Sequence, residues 1–581
     1  MHTWGVPAGD TKDGDTLMNG TDSGMDMRTS SRLGPESTGT GNLTAVPTRD
    51  QSPLRPRNTT GLTLAQVGAL LGLDDTDRAL ADGAAAVAVT GITHDSRAVR
   101  PGDIYAALPG ANAHGADFAA QAAAAGAVAV LTDEDGAERA ADCGVTLLVV
   151  PQPRARVGEL AAAIYGNAAE QLLSIGVTGT SGKTTTAYLI EGALRGAGRT
   201  PGLLGTVEMR VGDQRIKSER TTPEATDLHA VFAMMREAGA DSVAMEVSSH
   251  ALVFGRVDGV VYDVAVFNNL TPEHLDFHPD MDDYYRAKAQ LFTARRSRVG
   301  VVNIDDRWGR RLAAEAEVPV VTYSAEGEPS ADWRAEQVQL GHAGSHFRVV
   351  GPDGQSADAS SPLPGPFNVA NALAAIAAAV TAGLPLAAAV AGVASVPGVP
   401  GRMEQVDAGQ PYLAVVDYAH KPDALEGALR SLREVTKGQV LVVVGCGGDR
   451  DPFKRGPMGA IAARYADTAV LTSDNPRTED PLAILHAMLA GAVEVPEAER
   501  GAVLVEPDRA QAIAAAVARA HAGDSILVAG KGHEVGQYAK GEVRPFDDRI
   551  VLRDAITEAG AGAGTVHTPA GVLPGTRDIE E

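Results

Sequence analysis

Two cysteines, Cys143 and Cys446, are all that this 581-residue chain contains. They form no CxxC pair, which disfavours a zinc ribbon or a disulfide framework and suits a reducing cytosol. Basic charge is also short: 50 Lys and Arg stand against 74 Asp and Glu, a formal net charge of −24. A general nucleic-acid or anionic-membrane binder would have to spread cations over a face against this field, so neither nucleic acid nor membrane is expected as a partner, and a polyanionic ligand must meet local cations. Residues 1–58 lack the apolar core of a signal peptide and are rich in Gly, Thr, Ser, Asp and Pro. They read as a disordered extension, with translation from Met25 or Met27 as an alternative. The nearly uncharged run 371–396 is mostly Ala and is broken by Gly383 and Pro385, which predicts two packed helices rather than a membrane span.

What is present is an ordinary folding composition, 44% hydrophobic and 21% charged, long enough for three or four domains. Apolar runs at 87–89, 128–131 and 147–150 alternate with Ala-rich helical stretches, an α/β pattern. A second block opens with a strand at 173–177, a glycine-rich loop and a helix over 184–194, and continues with strands at 242–245, 260–267 and 299–303. The cluster Pro397-Gly-Val-Pro-Gly-Arg-Met403 marks the next boundary. Beyond it, apolar runs at 413–416, 440–444, 469–472 and 526–529 are each followed by a polar loop, where an open parallel sheet places its ligands. The expected segmentation is an extension (1–58), three α/β domains (59–170, 171–397 and 398–560) and a loose Gly-rich tail (561–581).

The strongest local signal is Gly179-Thr180-Ser181-Gly182-Lys183-Thr184-Thr185 between strand and helix. It reads as a phosphate loop in which backbone N–H groups cradle phosphate, Lys183 reaches the terminal phosphates and Thr184 can ligate magnesium. It departs from strict GxxxxGK[ST] spacing, because Val177 stands five before Gly182. This loop alone leaves switch, transporter, kinase and ligase open.

Further motifs narrow the choice: TTPEA (221–225), MEVSSHAL (245–252), NLTPEHLDFH (269–278), GRME (401–404), DYAHKPDAL (417–425), GGDRD (447–451), SDNPR (473–477) and GKGHE (530–534). With the phosphate loop, and in this order, they resemble the Mur ligase family over about residues 60–560. The similarity is to the branch that adds the third peptide residue to UDP-N-acetylmuramoyl-L-alanyl-D-glutamate. The resemblance implies a UDP-binding N-terminal domain, a central ATPase domain and a Rossmann-like C-terminal domain. It implies a cytoplasmic step of cell-wall synthesis in which ATP phosphorylates the D-Glu side-chain carboxylate and an incoming amine attacks the acyl phosphate. A monomer is expected.

The same resemblance assigns Thr184, Glu246 and His274 to a magnesium shell, completed by Lys288 once CO2 has converted it to a carbamate. On sequence alone, Lys288 would be a solvated helix lysine. His274 and His278 have the spacing of a zinc protease, but Leu275 stands where the catalytic Glu would be. Asn371, Arg402 and Asp417 are implied for the nucleotide base and ribose. Ser96, the loop Ala111-Asn112-Ala113, Thr221, Thr222, Ser248 and Arg256 are implied for the UDP-sugar peptide. Arg450, Asp474, Asn475, Pro476, Arg477, Gly530 and Glu534 are implied for the amino acid.

Two arginines and two acids around one pocket suit diaminopimelate, whose distal carboxylate would pair a guanidinium that lysine would leave unpaired. The rivals are a lysine-adding ligase, a folylpolyglutamate synthase and a regulatory phosphate-loop ATPase. DSRAVRPGDIYAALPG (95–110) resembles a UDP-sugar domain and disfavours the folate reading.

Overall fold

Parallel strands joined by helices build three sheets in the computed structural model, which describes residues 54–73, 84–110, 112–561 and 572–573. In the N-terminal sheet, Gly91–Thr93, Asp103–Ala106, Ala129–Thr132 and Thr146–Val149 run parallel in chain order. Both faces are covered, so these strands are near-continuous apolar runs rather than alternating ones.

The central sheet has a parallel core in the order Pro201–Leu204, Ser242–Glu246, Leu173–Thr178, Tyr262–Phe267, Ser297–Asn303, Val320–Ser324, with antiparallel strands at its ends. Register decides where the chemistry lies. Glu246 pairs with Val177 and Phe267 with Thr178, so three strands end level and release their loops at one edge. The helix Lys183–Gly196 packs beneath this sheet against Pro366–Thr381 and Leu386–Ala394. These last two are the helix pair expected from the Ala-rich run. Small residues allow the close approach: a Cβ on Gly392 would lie 2.3 Å from the carbonyl oxygen of Gly192.

The C-terminal sheet repeats the arrangement with Leu413–Asp417, Ser525–Ala529, Val440–Val444, Thr468–Leu471 and Ala502–Val505 in parallel. Asp417 and Val444 both pair with Ala529, and Leu471 with Val444, so four loops leave one edge together. Among the described residues no helix is long and apolar enough to cross a membrane.

Two segment boundaries differ from the expected ones. Residues 1–53, and with them Met25 and Met27, lie outside the described residues, but 54–58 belong to the fold. The Arg55 guanidinium is buried against Asp103 at 2.9 Å, donates to the Ile92 carbonyl at 2.8 Å and contacts the Tyr165 hydroxyl. The backbone N–H groups of Arg57 and Asn58 donate to Glu237. Composition marks this stretch as polar, but a buried ion pair anchors it. At the other end, the helix Asp548–Ala561 runs into the expected tail, and Val572–Leu573 pairs antiparallel with Val503 and Leu504. Those two apolar residues supply the edge strand that the surrounding glycines hide from a compositional reading.

Candidate active site

Leu173–Thr178 delivers the chain into the phosphate loop, where Gly182 adopts a φ of 82°. A Cβ there would lie 2.3 Å from Asn371 Oδ1, so the loop can pass this point only as glycine. The helix that follows aims its free N–H groups into the loop. Lys183 folds back, its Nζ donating to the carbonyls of Gly179 and Thr180 at 2.9 Å each. The loop is braced from the neighbouring strand's exit: Ser181 N–H donates to Asn269 Oδ1 at 2.9 Å, and Thr180 N–H to the Asn269 carbonyl at 3.0 Å. Thr184 and Thr185 are buried, and the hydroxyl of Thr184 accepts from Arg402 at 3.3 Å.

Glu246 ends its strand almost wholly buried. Its carboxylate accepts from Thr206 twice, from N–H at 2.7 Å and from the hydroxyl at 3.0 Å. Lys288, on the helix Met281–Ala289, is 1% exposed, which overturns the solvated reading of this lysine. Its ammonium donates to the Gly179 carbonyl at 2.8 Å and sits 4.6 Å from the centre of the Tyr284 ring. Burial holds Lys288 well below the usual lysine range, and the charge on Lys183 adds to the effect. Burial also lowers Lys183, opposed by Glu246 and reinforced by Arg402. Lys421 is pushed down to about 7 by burial, then by Lys183 and Lys454. Cations therefore crowd Glu246 and the Glu273 that pairs with Lys421, a surplus that a bound polyanion relieves.

His274 takes a positive φ of 56° and is pushed down to about 4 by burial, then by Lys183 and Lys288, so its imidazole is neutral near pH 7. His278 engages both nitrogens, Nδ1 with Asp283 at 2.7 Å and Nε2 with the Ser249 hydroxyl at 3.1 Å. That leaves it no lone pair for zinc. Among the described residues no group of three or more His, Cys, Asp or Glu is placed to hold a metal ion. The donors of Thr184 and Glu246 are instead a hydroxyl and a carboxylate, the oxygen chemistry that magnesium takes together with water.

Beside the loop opens a cleft of about 240 Å³, lined in part by Ser181, Gly182, Asn268, Asn269, Phe367 and Asn371. Asn371, implied for the nucleotide, thus lines this cleft beside the phosphate loop. Arg402 and Asp417 are not among the cleft residues. Arg402 packs on the Tyr418 ring while reaching Thr184. Asp417 accepts from the N–H groups of Met403 at 2.7 Å and Ala419 at 2.8 Å, which makes it a brace for the linker between domains.

The residues implied for the UDP-sugar peptide fall in two groups. Thr222 is buried and donates to the Glu246 carbonyl at 2.9 Å, the Thr221 hydroxyl lies 3.1 Å from that of Thr206, whose proton goes to Glu246, and Ser248 caps the short helix Ser249–Val253. All three thus border Glu246 or its strand exit. Arg256 faces Glu224 at 2.8 Å in a second pocket shared with His94 and Arg154. In the N-terminal domain, Ser96 lies 3.5 Å from the Gln121 side chain, Asn112 and Ala113 are exposed, and Ala111 lies outside the described residues.

In the C-terminal domain the loops after Leu471 and Ala529 interlock. Gly530, at φ 115°, passes so close to Asp474 that a Cβ would lie 2.6 Å from its carboxylate. Asn475 Nδ2 donates to Glu534 at 2.8 Å, and Arg477 donates to the Gly448 carbonyl at 2.7 Å at a φ of 53°. The Pro476 carbonyl abuts Gly448, where a Cβ would lie 2.0 Å from its oxygen. Arg450 is exposed, so of the two arginines read as converging, Arg477 is the one built into the loop cluster.

Sequence reasoning missed Thr206, which holds Glu246, and the ion pair of Glu273 with Lys421, which joins the central and C-terminal domains. It also passed over Lys531, which is fully buried inside the GKGHE motif. A lysine flanked by two glycines was the available signal.

Residues 88–165 match the Mur ligase family catalytic domain, 177–379 the Mur ligase middle domain and 401–532 the Mur ligase glutamate ligase domain. A UDP-N-acetylmuramoyl-L-alanyl-D-glutamate--2,6-diaminopimelate ligase of Streptomyces avermitilis is 66% identical over 506 residues, 87% of this chain and 98% of that one. The protein of the same name from Streptomyces coelicolor is 67% identical over 504 residues, again 87% and 98%. A solved structure of a ligase with that name has a TM-score of 0.63 at 33% identity, covering 86% of this chain and 99% of its own.

Proposed function

The chain belongs to the Mur ligase family, and from that membership we propose that it joins 2,6-diaminopimelate to the D-Glu side-chain carboxylate of UDP-N-acetylmuramoyl-L-alanyl-D-glutamate, cleaving ATP to ADP and phosphate. The observation that carries this reading is the cluster of buried Lys288 with partly exposed Lys183, Arg402 and Lys421 around the phosphate loop, together with the polar loop cluster of Asn475, Arg477 and Glu534 in the next domain.

The chemistry follows in two displacements. The D-Glu carboxylate oxygen attacks the terminal phosphorus, the bond to the bridging oxygen breaks and ADP leaves. The amine then attacks the acyl carbon, loses a proton and expels phosphate. Lys183 and the helix N-terminus neutralise the transferring phosphoryl oxygens, and Arg402 reaches the same point from the linker. Thr184 and Glu246 would hold magnesium, with His274 and Lys288 as its carbamate completing the shell. When bound, that ion supplies further charge neutralisation on phosphate. Lys288 suits carbamate formation because burial favours its neutral amine, the form that combines with CO2. Arg477 would pair a substrate carboxylate, and Glu534 an ammonium. Ser96, Asn112, Ala113, Thr221, Thr222, Ser248 and Arg256 would hold the UDP-sugar peptide. This reading places the enzyme in the cytoplasm, where ATP and the nucleotide substrate occur. A monomer is part of the same proposal.

The test is product mass spectrometry with ATP, magnesium and the UDP-dipeptide, offering meso-diaminopimelate, LL-diaminopimelate and L-lysine in parallel. A diaminopimelate adduct is expected. A lysine adduct would overturn the assigned role of Arg477, and ATP turnover with no adduct would favour a regulatory ATPase.

A further inference from the structure

Lys531 has no exposed surface, and its ammonium has an acceptor for each of its three N–H groups: Asn475 Oδ1 at 3.0 Å, Glu534 Oε2 at 3.2 Å and the Gly536 carbonyl at 2.7 Å. Asn475 Oδ1 also accepts from the Tyr538 N–H at 3.0 Å. An ammonium and a backbone N–H can only donate, so the oxygen of this amide must face them. Its nitrogen must then face the Glu534 carboxylate, 2.8 Å away. One N–H of Asn475 is left to point elsewhere.

The backbone is shaped to bring the lysine inward. Gly530 and Gly532, on either side, have φ of 115° and 54°, and a Cβ on Gly532 would lie 2.7 Å from the Tyr418 Cβ. This geometry demands glycine on both sides and leaves Lys531 the inward position.

We infer that Lys531 is a positioning residue for the amino-acid substrate: by saturating the oxygen of Asn475 it holds that side chain as a hydrogen-bond donor, suited to a substrate carboxylate. This rests on the function proposed above and adds how the pocket's polarity is set. Without Lys531 only the Tyr538 N–H and the Glu534 carboxylate hold this orientation, so the amide turns its oxygen outward more readily and a carboxylate then meets an acceptor.

The test uses the full-length enzyme and steady-state kinetics. Lys531→Met, close in volume, is expected to raise the KM for diaminopimelate on the order of tenfold to a hundredfold, while the KM values for ATP and the UDP-dipeptide stay within about twofold. In an Asn475→Ala background the same substitution is expected to add little, because its effect passes through Asn475. An equal rise in both backgrounds, or a uniform loss across all three substrates, would overturn the inference. Should Lys531→Met fail to fold, Asn475→Asp carries the test. It retains acceptors for Lys531 and Tyr538 but has no N–H, so its KM should rise as in Asn475→Ala, and an unchanged KM would overturn the inference. Diaminopimelate ligation by the unsubstituted protein separates these outcomes from failure of the function itself.

Discussion

The ammonium of Lys288 lies 2.8 Å from the carbonyl of Gly179, so the helix Met281–Ala289 touches the first glycine of the phosphate loop. A lysine on an otherwise amphipathic helix has thereby become part of the loop's floor, next to Lys183. Two desolvated ammoniums in one place are tolerable only if one can give up its charge or an anion binds both.

Lys288→Ala is accordingly expected to lower kcat on the order of a hundredfold. Short carboxylates added to the assay should restore part of the loss by supplying the missing oxygen ligand. Full activity without them would end the carbamate reading.

The hydroxyl of Thr206, 3.0 Å from Glu246, orients a carboxylate assigned to magnesium. Thr206→Val keeps the backbone N–H bond and removes this one. The magnesium concentration for half-maximal activity should rise about tenfold. A titration matching that of the unsubstituted enzyme would show that Thr206 does not orient the ligand.

Arg55 and Asp103 form a buried pair, with side chains 7% and 4% exposed. Arg55→Met should cost about 3 kcal/mol of stability, because it strands a carboxylate that burial already raises in pKa. Adding Asp103→Asn should recover part of this. Urea unfolding of both variants measures the effect, and a cost below about 0.5 kcal/mol would contradict it.

His229 is buried, its Nε2–H donating to the Asp258 carbonyl at 2.9 Å, and burial pushes it down to about 4. In the unfolded chain a histidine titrates near 6.5. As pH falls below about 6.5 the unfolded state takes up the proton first, so stability present above that pH is lost progressively down to about 4. The loss amounts to about 3 kcal/mol. Between pH 7 and 4, His229→Gln should lose less stability than the unsubstituted protein, and parallel curves for the two would refute the assignment.

Much of the site is legible in the order of residues along the chain. The glycines, Lys183 and Thr184 sit in consecutive positions between an apolar strand and a helix, so the loop is specified by neighbours in sequence. Glu246 is legible as the polar residue that closes an apolar run, and the helix pair of 366–394 as Ala broken by Gly and Pro. Arg450 and Arg477 look equivalent as arginines after strands. The fold exposes one and ties the other to the Gly448 carbonyl, because only Arg477 lies in the loop that the neighbouring hairpin crosses.

Local order thus determined the sheets, the phosphate loop and the family motifs, since strand, turn and helix preferences act over a few residues. The tertiary structure alone decided that Lys288 is buried, that Thr206 grips Glu246 from 40 residues away, that Arg55 belongs to the fold and that Lys531 holds Asn475. Each of these depends on desolvation and on partners far along the chain. Burial is a property of what packs against a residue, and no spacing within one segment encodes it.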